Sequence, residues 1–191
     1  MNNDNSRVTV HMVASLDGFI ARKDGSVDWM ETADEFPGGE SMDPEFVEAF
    51  LADIDCYVLG ARSYESALEF ERKGLGWSYE DKPVFVLSNK ELDKTRETVT
   101  FFAGETETLV EQLRGTYRNI WIVGGAAVCS DTIGRGLVDE IYYAILPVLL
   151  GDGLSFFSEL PETDIALHLM EAKAYTSGMV ELRYAIRREP E

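Results

Sequence analysis

The chain has 191 residues, 45% of them hydrophobic and 11% aromatic, enough to bury one core and too apolar for a disordered chain. Thirty-five acidic against 17 basic residues give a formal charge of −18, which opposes binding to nucleic acid, and no apolar run reaches the length of a membrane span. The start, MNNDNSR, lacks the basic and apolar regions of a secretion signal, and Cys56 and Cys129 both sit in apolar surroundings, so the expectation is one cytoplasmic domain, residues 1–191, with reduced thiols.

In chain order, residues 7–14 (RVTVHMVA) are β-branched and apolar enough for a central strand. Residues 15–42 form a long irregular stretch rich in Gly, Asp and Ser, and a connection of that length inside a compact domain is usually functional. DPEFVEAFLADI reads as a helix capped by Asp43, with Pro44 in its first turn and Phe46, Val47, Phe50, Leu51 and Ile54 as its apolar stripe. CYVLG at 56–60 is a short buried strand, followed by helical residues through about Arg72. Strands follow at 83–88 and 99–103, then a helix, ETLVEQLRGTY, whose Thr108 and Glu111 have capping-box spacing. A strand at 119–123 leads through Gly124-Gly125 into a short helix from about Ala126 to Ile133. DEIYYAILPVLL is another strand, and two alternating strands, 165–175 and 179–187, join through Ser177-Gly178 as a hairpin. The pattern predicts an α/β fold: a mixed, mostly parallel sheet of about eight strands flanked by helices, with an antiparallel hairpin at the end.

Chemistry in such sheets gathers beyond the carboxyl ends of the strands. Three ends stand out. Gly60-Ala61-Arg62-Ser63 opens a helix that Ser63 could cap, Ser88-Asn89-Lys90 follows the 83–88 strand, and Gly124-Gly125 opens a further helix. Helix starts and cations together suit a ligand with several phosphates. The chain carries no phosphate-loop or dinucleotide fingerprint and no nucleophile elbow, and neither His11 nor His168 has neighbours at metal-ligand spacing. Both histidines read as packed or surface residues and no metal is expected, so a cofactor would carry the chemistry. In the loop SLDGFIARKDGSVDWMETADE, Ser15 and Asp17 sit just past the first strand, Trp29 could cover a planar ligand, and Asp34 could supply a carboxylate.

The stretches ASLDGFIARKDGSVDW, VLGARSYE, VFVLSNK, IWIVGGAAV and LVDEIYYAILPVLLGDG, in this order, resemble the dihydrofolate reductase superfamily, and within it the riboflavin-pathway reductases and their small stand-alone relatives. The resemblance implies a dihydrofolate-reductase-like fold that binds NADPH, or NADH, extended across the strand ends. By it, Gly60, Ala61, Arg62 and Ser63 would meet phosphates, and Leu87, Ser88, Asn89 and Lys90 would surround the adenosine and its 2′-phosphate. Gly124, Gly125, Ala126, Ala127 and Val128 would lie against the pyrophosphate and the nicotinamide ribose, and Ala14 and Ile20 against the nicotinamide. Ser15 and Trp29 would face substrate. Trp29 and Asp34 have the folate enzymes' spacing from pocket tryptophan to catalytic carboxylate. Two positions depart from those enzymes: Ala61 stands where they carry arginine, and the stretch WMETAD lacks the prolines beside their carboxylate.

The implied activity is hydride transfer from a reduced nicotinamide to a pteridine, an aminopyrimidine or a related small substrate, as in the reduction step of riboflavin synthesis. Asp34 and Asp17 are the candidate proton donors, and a homodimer is expected. The alternatives are a nucleotide-binding module without turnover, and dihydrofolate reductase proper.

Overall fold

The computed structural model describes residues 6–157, 160–162 and 164–188. Six parallel strands form its centre: β1 (Arg7–Ser15), β3 (Cys56–Gly60), β4 (Val84–Leu87), β5 (Val99–Phe102), β6 (Asn119–Gly124) and β7 (Glu140–Leu146). The last two, β9 (Leu167–Ala174) and β10 (Val180–Ile186), run antiparallel and extend the sheet beyond β7. The order is β5-β4-β3-β6-β1-β7-β10-β9, so the α/β fold and the closing hairpin are as the sequence pattern indicates. A separate ribbon pairs β2 (Phe19–Ala21) with β8 (Leu154–Ser155).

Central strands covered on both faces must be apolar at consecutive positions, and Cys56, Tyr57, Val58 and Leu59 are all buried. On one face α3 (Thr106–Arg114) and α4 (Ala126–Gly134) pack Leu109, Val110, Leu113, Cys129 and Ile133 against Val8, Val10, Ile120 and Ile122. On the other, α2 (Ala61–Arg72) buries Tyr64 and Ala67 against Leu59, Val84 and Val86. A third cluster joins Trp29 to Ala144, Leu146, Tyr175 and Met179. Cys56 and Cys129 are free and buried, and burial pushes both thiols up to about 12. Among the described residues no helix is long and apolar enough to cross a membrane, and no cluster of His, Cys, Asp and Glu could hold a metal ion.

Several local expectations need correction. The stretch 139–150 stops pairing at Leu146: Pro147 has no N–H to donate, and Leu16 N donates to Val148 O in place of a ladder bond. The long 15–42 connection holds β2 and a 3-10 turn at Asp28–Met30. Helix α3 begins at Thr106 after Glu105, without a side-chain cap, so Thr108 and Glu111 lie inside the helix and form no capping box. Helix α1 (Pro44–Ala52) packs Phe50 and Leu51 inward but leaves Val47 exposed; the side chain of Phe46 lies outside the described residues. His168 is exposed, whereas His11 is packed between Trp121, Phe50 and Tyr142.

Candidate functional site

The topology makes one opening in the sheet. From β3 the chain steps outward to β4 and β5, then returns to lay β6 between β3 and β1. This reversal is the switch point at which open α/β sheets leave a crevice. Strand β6 stays with β3 as far as Leu59↔Gly124, but its ladder with β1 ends at Val10↔Ile122. Strand β1 continues beside β7 up to Ser15↔Leu146. A seam therefore opens between the last residues of β1 and β6. Side chains span its base: the Trp121 indole N–H donates to the His11 carbonyl at 3.4 Å.

Two helices start at this seam. Gly60 is the N-cap of α2 and Gly125 that of α4, and neither helix has a side-chain cap bond. Ser63, expected as a cap, lies within the first turn of α2, where a Cβ built on Gly125 would meet its Oγ at 3.5 Å. A Cβ on Gly60 would meet Val128 Cγ2 at 3.0 Å, so the two helix starts are nearly in contact. Uncapped first-turn N–H groups and the positive ends of two helix dipoles thus converge on one place. The Gly124–Gly125 peptide is cis, and Gly124 has φ +116, a conformation open to glycine.

Beside these helix starts lies a cavity of about 260 Å³. The end of β4 lines it with Leu87, Ser88 and Asn89, and α4 lines it with Ala127, Val128 and Asp131. Gly104 and Thr106 close the third side. The Ser88 hydroxyl shapes the turn by accepting from Lys90 N at 3.0 Å and donating to Lys90 O at 3.1 Å. Arg62 and Lys90 are exposed and make no ion pair among the described residues, so both cations can meet an anion. Five of the residues expected around a cofactor thus share one cavity, and Gly60–Ser63 and Gly124–Ala126 border the adjoining seam. Ala14 is fully buried at the end of β1, and Ile20 is half-buried against the α3–α4 side of the core. Thr106 and Asp131 are additions. Asp131 was legible, because it stands four residues after Ala127 on a helix and so shares its face.

The loop residues are placed differently from expectation. Ser15 is fully buried, and its hydroxyl donates to Asp17 Oδ1 at 2.6 Å and accepts from Phe19 N at 3.0 Å. Both bonds hold it within the loop. The Asp17 carboxylate also accepts from Leu150 N at 3.1 Å and Gly151 N at 2.7 Å. The Ser15 hydroxyl, joined by these backbone amides, holds its carboxyl below the usual carboxylate range, which is opposite to what a proton donor needs. Trp29 is 6% exposed within the third cluster, and its buried indole N–H has no hydrogen-bond partner among the described residues. Asp34 is exposed over the β9–β10 turn against Gly178, and Thr32 beside it donates to Ser177 O at 3.1 Å. Trp29 is thus buried beside Tyr175 and Met179, and Asp34 is exposed beside Gly178 of the same turn.

A parallel sheet with a late-inserted central strand, glycine-thinned helix starts at the switch point and an antiparallel hairpin defines a dihydrofolate-reductase-like protein. Within that class the chain belongs to the RibD C-terminal domain family, whose model matches residues 6–181. It is 31% identical over 182 residues to the uncharacterized protein YwjB of Bacillus subtilis strain 168, covering 93% of this chain and 97% of that one. The riboflavin biosynthesis protein RibD of Corynebacterium ammoniagenes is 27% identical over 152 residues, which are 78% of this chain and 45% of RibD. Among solved structures, a putative riboflavin biosynthesis protein from Shewanella sp. PV-4 superposes with a TM-score of 0.80 at 27% identity, covering 95% of this chain and 99% of that one.

Proposed function

We propose that this chain is a cytoplasmic NAD(P)H-dependent reductase acting on a pteridine, an aminopyrimidine or a related small heterocycle, with the reduction of a ribosylaminopyrimidine as the model reaction. One observation carries the reading: the seam between β1 and β6 receives two uncapped helix starts beside a cavity, and Arg62 in the first turn of α2 and Lys90 next to the cavity residue Asn89 make no ion pair among the described residues, on a protein of charge −18. Such a site suits an anionic dinucleotide, since backbone N–H groups and local cations offset the repulsive overall field. Membership of the RibD C-terminal domain family supports the reductase class, and the name of the Corynebacterium relative supports the pathway.

When bound, the reduced nicotinamide supplies hydride. The protein's residues position it: first-turn N–H groups of α2 and α4 hold the phosphates, Arg62 and Lys90 take the remaining charge, and Ala14 and Ile20 flank the ring. Holding two reactants in line lowers the barrier by orientation. Asp17 is an anchor and Asp34 lies exposed over the β9–β10 turn, so the proton would come from water reaching the open seam. We also propose a homodimer through the outer face of β9 and β10, where Leu167, Leu169 and Val180 share one exposed side.

The test is titration with NADPH and with NADH, followed by nicotinamide fluorescence and thermal shift. Saturable binding is expected below millimolar concentration, and oxidation should follow on adding an aminopyrimidine or pterin substrate. Arg62→Ala and Lys90→Ala should each weaken NADPH about three- to tenfold more than NADH. No binding of either dinucleotide refutes the proposal, and binding without oxidation of any substrate leaves a nucleotide-binding module.

A further inference from the structure

The 260 Å³ cavity has one ionisable side chain in its wall, and it is a carboxylate. Asp131 reaches the cavity from the exposed side of α4, one turn after Ala127. Partial burial raises its carboxyl, but hydrogen bonds from Arg135 and Thr106 outweigh this and leave it below its ordinary value. Arg135 Nε donates to Asp131 Oδ1 at 2.7 Å, and the same guanidinium meets Glu105 at 3.1 Å and Glu107 at 4.0 Å. Asp131 thus shares the Arg135 guanidinium with Glu105 and Glu107, and of these four side chains it is the one in the cavity wall.

That arrangement constrains the ligand. The apolar walls, Leu87, Ala127 and Val128, suit a flat ring, while the Asp131 carboxylate disfavours a ring edge that turns an acceptor toward it. We infer that Asp131 accepts a hydrogen bond from the exocyclic amine of the purine in the bound dinucleotide, and so selects adenine over 6-oxopurines. The inference rests on the reductase reading above and assigns a specificity-determining residue within the same site. A 6-oxopurine would turn a carbonyl oxygen toward the carboxylate, and a hydrogen bond to a charged group is worth about tenfold or more in affinity.

The experiment compares NADH and NADPH with their hypoxanthine counterparts, in which the amine is replaced by a carbonyl, by fluorescence titration of wild type, Asp131→Asn and Arg135→Gln. Wild type should bind the amino forms at least tenfold more tightly. Asp131→Asn, whose amide can donate to the carbonyl, should narrow the ratio to about twofold, while Arg135→Gln breaks the same ion pair, keeps the carboxylate and should preserve the discrimination. Equal binding of both forms by wild type, or full discrimination in Asp131→Asn, overturns the assignment. If no dinucleotide binds to wild type, the reductase reading falls as well, and this outcome is distinct from loss of discrimination alone.

Discussion

At Gly124 a Cβ would lie 3.0 Å from Met12 Cε and 3.4 Å from Cys129 Sγ, whereas at Gly125 it would meet only Ser63 Oγ at an ordinary 3.5 Å. The first glycine therefore answers to φ and to packing inside the protein, and the second borders the seam without being forced by its neighbours. The sequence showed that backbone must come close to something here; it could not apportion the two causes, because one is a torsion and the other is Met12, far upstream in the chain. His11 was read as a packed or surface residue; it is packed, and its burial lowers the imidazole to about 4. Glu181 Oε2 is 3.8 Å from Nε2, but at neutral pH His11 is uncharged and the contact is no ion pair. Unfolding restores a value near 6.5, so between pH 6.5 and 4 the unfolded chain holds a proton that the folded chain lacks. Stability contributed by neutral His11 is complete above pH 6.5 and falls as the pH drops through that window, by at most about 3 kcal/mol. Urea unfolding at pH 7 and pH 4.5 should show a smaller acid loss for His11→Leu than for wild type; parallel losses would remove His11 from the balance.

Among the elements, the buried strands were the most legible, because Val8, Val10, Val84, Val86, Ile120 and Ile122 are β-branched residues at alternate, fully buried positions. The connections were the least legible. Asp17 ties to Leu150 and Gly151 across 133 and 134 residues, Gly18 O accepts from Phe156 N, and a Cβ on Gly153 would collide with Ala21 O. The SLDG and LLGDG segments are thus one structural unit, fastened through polar contacts that no local periodicity records. Ser15→Ala removes the acceptor for Phe19 N and the donor to Asp17, and should cost about 1–2 kcal/mol in denaturant unfolding. Amide exchange at Leu150 and Gly151 should quicken with it, while the Kd for NADPH stays within about twofold. A large loss of NADPH affinity with unchanged exchange would instead make Ser15 a ligand contact.

For the molecule as a whole, the charge of −18 opposes nucleic acid as a partner, and the order of elements indicated the class of sheet. Neither shows what covers the outer hairpin. Strand β9 is an edge with Leu169 50% and Met170 46% exposed, on a sheet face that no described helix covers beyond β7. Light scattering should give twice the chain mass for wild type, and Leu169→Glu should shift it to the monomer; a monomeric wild type would refute the homodimer. The position of β6 has a consequence for how the protein is made. Its two neighbours, β1 and β3, precede it in the chain, and until residue 124 has emerged from the ribosome they have no backbone partner in common. The nascent chain therefore holds the β3–β4–β5 fragment and a β1 strand whose partners β6 and β7 are still to come through well over half of its synthesis, and the strand that unites them is also the one that forms the seam. A dinucleotide recognised at that seam would bind only chains whose two halves are already joined, and would act during biogenesis as a ligand of completed folding.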